Sequence, residues 1–151
     1  GTVKTVYDLG RHAESYHYGN DGSEYRSESV EDSGRQARKI IYKHRGQIAW
    51  VGVGLYFGSL DCNGYTAFKL ALRAEKPCKL EVKAYHSDKA MYRAVFPISD
   101  QWQELAIGFD ELKGGDDSFD PTRKLLKVEL QPSPDHQGSS LYLGEFKLAA
   151  P

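Results

Sequence analysis

The chain is short of several things at once, and each shortage closes off a class of function. No stretch of about 18 consecutive apolar residues occurs, so no segment is a candidate membrane-spanning helix. The 20 basic and 21 acidic residues leave a net charge of −1, too weak a field of either sign to hold a nucleic acid or an anionic membrane. Helical periodicity is almost missing; only "FDELKGGDD" has room for a short turn. Catalytic signatures are missing too. Histidines 12, 17, 44, 86 and 136 show neither His-x-x-x-His nor His-x-His spacing, so no zinc site is signalled. There is no Gly-x-Ser-x-Gly elbow. The glycines of "GVGLYFG" lack the Lys-Ser/Thr of a phosphate loop and lie inside a strand-like run, not ahead of a helix. "NDGSE" (20–24) is too short for a calcium loop and reads as a turn. The two cysteines, Cys62 and Cys78, flank "YTAFKLALR" (65–73). Nine extended residues span roughly 30 Å, whereas a disulfide needs Cα atoms about 5–6 Å apart. Free thiols are expected, and they carry no information about compartment. The opening "GTVKTVYDLG" has no secretory leader pattern and reads as the edge of a processed or excised domain.

What the chain does have points to β structure. Its 151 residues suit one domain with a real core. Ten tyrosines, two tryptophans and 15 glycines stand beside a single methionine, a β-rich and loop-rich composition with aromatic surface. Strand-like runs follow one another at 4–9, 25–31, 38–44, 48–58, 65–74, 79–87, 91–98, 102–109, 124–131 and 140–149. The polar stretches 10–24 and 110–123 read as loops, with Tyr16, His17 and Tyr18 in the first of them. Ten strands in one short domain predict an all-β, two-sheet antiparallel sandwich of jelly-roll type. Alternation assigns faces. Thr66, Phe68, Leu70 and Leu72 point inward, as do Leu80, Val82 and Ala84, and Leu126, Val128 and Leu130. "SDKA" joins 79–87 to 91–98 as a hairpin.

The run "IAWVGVGLYFG" (48–58) is the odd one. Val51, Val53, Leu55 and Phe57 form an ordinary buried set. The other face has Trp50 and Tyr56 at its ends and Gly52 and Gly54 between them, an empty middle flanked by rings. Rings offer flat apolar faces, and planar polar groups offer hydrogen bonds beside them. If this strand lies beside 79–87, 91–98 and 124–131, the outward set is Trp50, Tyr56, Glu81, Lys83, Tyr85, Arg93, Glu129 and Gln131. Trp102, at the "SDQW" strand start, reads as structural, and Tyr42 fits either core or surface.

The order of signals resembles a known family. "GRQARKIIYKHRGQIAWVGVGLYF" precedes "LDCNGYTAFKLALRAEKPCKLEVKAYHSD"; then come "YRAVFPISDQWQELAIGFDELK", "KLLKVELQP" and "SLYLGEFKLA". With Trp50–Gly52, Asp61–Gly64–Tyr65, Trp102 and Glu145 in their places, residues 5–149 resemble carbohydrate-binding modules. These have a galactose-binding-like β-sandwich and are appended to β-glucanases and related polysaccharide-degrading enzymes. The resemblance implies two sheets, one concave, with a polysaccharide lying across the concave one. It implies a non-catalytic module, 1–151, cut from a larger secreted or cell-surface enzyme and targeting an attached glycoside hydrolase. It also implies a structural Ca²⁺ held by Asp8, Glu31, Asp32 and Glu145, although Glu145 stands where aspartate is usual.

Two other readings use the same fold. A jelly-roll polysaccharide lyase would take a base from Tyr85 or His86 and a neutraliser from Arg93 or Gln131. A protein-binding adaptor would need no such chemistry. For the ligand, a neutral β-glucan or related hemicellulose is expected. Lys83, Arg93, Lys127 and Lys69 leave an anionic glycan as the alternative, with Glu81 and Glu129 offsetting their charge.

Overall fold

A computed structural model describes residues 1–45 and 49–151. Its strands are β1 (Val3–Asp8), β2 (Tyr16–Gly19), β3 (Glu24–Asp32), β4 (Arg35–Lys43), β5 (Val51–Leu60), β6 (Ala67–Ala74), β7 (Cys78–His86), β8 (Met91–Ile98), β9 (Gln103–Gly108), β10 (Lys113–Gly114), β11 (Asp117–Ser118), β12 (Leu125–Pro132) and β13 (Gly138–Ala149). They form two antiparallel sheets. One has the order β3-β4-β13-β6-β9, with β1 beside the end of β13; the other runs β11-β10-β8-β7-β12-β5-β2. The expected sandwich is therefore present, and all ten expected strands are in it. Ile48, where the sequence pattern starts the fifth of them, lies outside the described residues.

The two-residue period builds the core. Phe68, Leu70 and Leu72 of β6, Leu80, Val82 and Ala84 of β7, and Val128 and Leu130 of β12 are all fully buried between the sheets. Thr66 precedes β6 and is exposed instead of inward, and Leu126 is only half-buried. The bulge in β12 between Leu125 and Lys127 hands the inward place at that end to Leu125, which is fully buried. Tyr42 belongs to the core. At one end the rings of Phe68 and Phe109 lie 4.8 Å apart, as do those of Phe109 and Phe119, and Phe146 lies 5.0 Å from Phe68. Each such pair contributes about 0.5–1.5 kcal/mol beyond its buried area. Cys62 and Cys78 are buried free thiols. Burial, helped by neighbouring Asp61, pushes the Cys62 thiol up to about 12, so it is unreactive at neutral pH.

Both stretches read as loops contain strand. Within 110–123, β10 and β11 form a small hairpin on β8, preceded by a 3₁₀ turn at Phe109–Glu111. Within 10–24, β2 pairs with β5 and becomes the edge of the seven-stranded sheet. His17, exposed at this edge, stacks on Tyr25 of β3 at 4.1 Å and an interplanar angle of 8°. This contact ties the edge of one sheet to the edge of the other.

Candidate functional site

The four strands expected side by side are so, in the order β8-β7-β12-β5. Register sets their outward residues in rows. Tyr56, Lys127, Tyr85 and Met91 form one row. Gly54, Glu129, Lys83, Arg93 and Lys113 form the next, running on into β10. Gln131, Glu81 and Val95 form the third. These rows hold seven of the eight outward residues expected from the sequence, Tyr56, Glu81, Lys83, Tyr85, Arg93, Glu129 and Gln131. The eighth, Trp50, stands just before β5 and is 45% exposed; Tyr56 is 55% exposed. The backbone of Trp50 is held by Asn20, whose Oδ1 accepts its N–H at 3.1 Å.

The middle of β5, however, is not bare. Tyr16 is in register with Gly54, and Tyr18 with Gly52. Each ring lies across its glycine, toward β12. A Cβ on Gly54 would come within 2.0 Å of Tyr16 Cζ, and one on Gly52 within 2.2 Å of Tyr18 Cζ. Even a methyl group does not fit, which is the physical reason for the two glycines: rings from the edge strand rest on them. The gap expected to admit a sugar between Trp50 and Tyr56 is therefore paved with two more rings. A ligand would lie on the rings, not between the walls.

Hydrogen bonds fix the paving. The Tyr16 hydroxyl donates to Glu129 Oε2 at 2.5 Å, and the Tyr85 hydroxyl donates to Glu129 Oε1 at 2.9 Å. Glu129, 8% exposed, is thereby a clamp joining β2, β12 and β7, with both oxygens engaged. Lys127 Nζ lies 3.6 Å from the same carboxylate and 4.6 Å from the Tyr85 ring centroid. Gln131 Oε1 accepts from the Tyr18 hydroxyl and from Lys83 Nζ, each at 3.1 Å. Glu81 lies between Lys83 at 3.6 Å and Arg93 at 3.5 Å.

These contacts decide what the phenols can do. Burial, then the bond to Glu129, pushes Tyr85 up to about 12. Burial raises Tyr16 and Tyr18 as well, with Glu129 adding to both. A phenol held in its protonated, donating form is the opposite of the activated base a lyase needs. His86 is also misplaced for that chemistry. It points into the core at 1% exposure, stacks on Phe119 at 4.5 Å, and accepts the Asp120 N–H at 3.3 Å. Lys69 lies on the opposite sheet, 3.8 Å from Glu104, and takes no part in this face.

The four carboxylates assigned to calcium do not converge. Asp8 and Glu145 are partners in register. Asp8 accepts the Gly10 N–H at 2.9 Å, and Glu145 accepts the Thr5 hydroxyl at 2.9 Å. Glu31 is exposed opposite Gln36. Asp32 is fully engaged: Arg73 donates to it at 2.7 and 2.9 Å, and Trp102 Nε1 at 2.6 Å. Those bonds, led by Arg73, hold its carboxyl below the usual range. Among the described residues no three His, Cys, Asp or Glu side chains gather as metal ligands. Calcium needs six to eight oxygens, so this set does not fit it. Trp102 is structural, as expected, with Arg35 over its ring at 4.3 Å. A cavity of about 500 Å³ opens beside it on the six-stranded sheet. One ring face and the indole N–H there are already taken, whereas the face of the other sheet carries the rings of Tyr16, Tyr18, Tyr56 and Tyr85.

No family model and no curated protein matches the chain. Solved structures do. It is similar to the family 11 carbohydrate-binding module of the cellulosomal cellulase Lic26A-Cel5E of Clostridium thermocellum, with TM-score 0.79 and 8% identity over 99% of this chain and 95% of that one. A family 11 module from the same organism, in complex with a β-1,3-1,4-mixed-linked tetrasaccharide, gives TM-score 0.77 at 9% identity, covering 98% and 95%. The agarase AgWH50C gives 0.70 at 11%, covering 99% of this chain but 24% of the enzyme. At such identities the likeness establishes the fold, a β-sandwich of the carbohydrate-binding-module type.

Proposed function

We propose that this protein binds a polysaccharide chain without cleaving it, laid across the outer face of β5, β12, β7 and β8. The observation that carries the reading is the floor itself. Tyr16 and Tyr18 rest on Gly54 and Gly52, Trp50 and Tyr56 stand exposed beside them, and Tyr85 joins through Glu129. Rings fixed by hydrogen bonds give up little side-chain entropy when a ligand stacks on them. A β-linked glycan, extended and ribbon-like, presents successive C–H faces to such a floor. Burial of that surface at roughly 25 cal/mol per Å², spread over several sugars, suits modest affinity for long chains. No group on the face is set up as a base, which supports binding over a lyase reaction. The fold's likeness to modules of polysaccharide-degrading enzymes supports a secreted or cell-surface setting and an attached catalytic domain that the module would bring to its substrate.

The test is affinity electrophoresis through gels containing single polysaccharides. The native protein should be retarded by at least one β-linked polymer. Tyr16→Ala with Tyr18→Ala should abolish the retardation. Equal retardation of both proteins would overturn the placement. Reproducible release of reducing ends or unsaturated products by the pure protein would overturn the non-catalytic reading.

A further inference from the structure

The hydrogen-bond polarity of the floor carries information about the ligand's charge. The carboxylate and amide acceptors on it are engaged by the protein itself. Both oxygens of Glu129 take phenol protons. The Gln131 carbonyl takes Tyr18 and Lys83, which turns its amide N–H₂ outward as a donor. Glu81 is one carboxylate shared between two cations. On the donor side, Lys113 is the register neighbour of Arg93 on the adjacent strand. Among the described residues its ammonium donates only to the neutral Ser118 hydroxyl, at 2.7 Å. The Arg93 side chain is 61% exposed. The rows centred on Glu129 and Glu81 thus carry three cations, Lys83, Arg93 and Lys113, against two carboxylates, although the whole chain has a net charge of −1. Neutral sugars offer donors and acceptors alike and would leave Lys113 without a counter-charge and Arg93 with only its share of Glu81. A carboxylate or sulfate offers acceptors only and forms charge-assisted bonds with guanidinium and ammonium groups.

We propose that the polysaccharide bound here carries acidic substituents, carboxylate or sulfate, and that Arg93 and Lys113 hold one of them while the sugar rings rest on the tyrosines. The inference rests on the glycan-binding reading above. It replaces the neutral glucan expected from the sequence with an acidic chain of the same extended kind. The pair stands at the β10 end of the row that begins with Tyr16, so an acidic group there marks one end of the bound segment.

The probes are a neutral mixed-linked β-glucan, polygalacturonate for the carboxylate and κ-carrageenan for the sulfate. Affinity for each is measured at about 0.05 M and about 0.5 M salt, where the screening length falls from about 14 Å to about 4 Å. At low salt at least one acidic polymer should bind about tenfold more tightly than the glucan, and which one identifies the substituent. High salt should shrink that advantage. Arg93→Ala with Lys113→Ala should cut the acidic-to-neutral affinity ratio about tenfold, and Arg93→Lys with Lys113→Arg should retain most of it. Lys69→Ala, on the opposite sheet, should leave the ratio unchanged. If the glucan binds as tightly as both acidic polymers, or if the double variant leaves the ratio where it was, the charge inference fails while the glycan reading stands. If no polymer binds, the glycan reading fails and this inference with it.

Discussion

Gly54→Ala is the smallest change that questions the floor. The added Cβ would lie 2.0 Å from Tyr16 Cζ, 2.3 Å from Cε1 and 2.5 Å from Cε2. Ordinary carbon contacts begin near 3.5 Å, so the ring must lift by more than about 1 Å. Its hydroxyl is held by Glu129 at 2.5 Å and cannot follow without losing that bond. A hydrogen bond to a charged group contributes about 1.5–3 kcal/mol. Alanine in a strand regains about 0.5–1 kcal/mol over glycine. The net cost is then about 1–2 kcal/mol, a fall in melting temperature of about 3–6 °C for a domain of this size. Glycan affinity should drop at least tenfold, because the displaced ring breaks the platform. Two controls isolate the cause. Gly138→Ala, whose Cβ would meet nothing nearer than 3.6 Å, should melt within about 1 °C of the native protein. Adding Tyr16→Ala to Gly54→Ala should remove the clash, so the two changes together should cost less stability than their sum. A Gly54→Ala protein that melts like wild type and binds glycan like wild type would refute the placement of Tyr16 over Gly54.

Three further outcomes follow from single contacts. Trp50→Ala should weaken glycan binding about tenfold, about 1.4 kcal/mol, with little change in melting, because the indole is 45% exposed and its backbone is held by Asn20. Alkaline titration should show Tyr85 ionising well above the usual 10, at about 12. A group with a raised folded pKa gives stability that is complete below the unfolded value, so melting temperature should begin to fall as pH rises past about 10; constant stability from pH 9 to 12 would contradict the phenol–Glu129 clamp. Asp32→Asn removes the charge that Arg73 and Trp102 grip and should cost about 2 kcal/mol. With its folded pKa lowered, the native protein should lose this contribution as pH falls below about 4. Glycan affinity, which depends on the other sheet, should be unaffected in the variant.

Period-two patterning carried most of the fold. Runs such as "FKLALR" and "KLEVKAYH" alternate cleanly because each strand has one face in the core and one in water, and the pairing of β7 with β8 is legible from the hairpin at "SDKA". The four-residue strand β2 was hidden in a polar, turn-rich stretch. A signal for it did exist. Tyr16 and Tyr18 are two apart, as are Gly52 and Gly54, and an empty pair on one strand matches a ring pair on another. Reading 48–58 alone showed the absence without what fills it. The clamping role of Glu129 depends on three registers at once, β2 on β5, β5 on β12 and β12 on β7, and no local pattern encodes that. Asp32 misled for a similar reason. A carboxylate at a strand end looks free for a metal, and its partners Arg73 and Trp102 lie 41 and 70 residues away in sequence. The resemblance supplied the calcium set by position in the chain, and position alone does not bring four side chains together.

The central claim is that a glycan lies on the tyrosine–glycine floor, and the chain's two tryptophans give a direct way to test it. Trp50 immediately precedes β5, the strand that carries Gly52 and Gly54, and is 45% exposed, and Trp102 lies on the opposite sheet with its N–H on Asp32. In a ¹H–¹⁵N spectrum each gives one indole signal, alongside the backbone amides of Gly52 and Gly54. Titration with soluble oligosaccharides from the polymer that retards the protein should move the Trp50 indole, Gly52 and Gly54, and leave the Trp102 indole still. A moving Trp102 signal with a stationary Trp50 would put the glycan in the cavity on the six-stranded sheet and contradict the account.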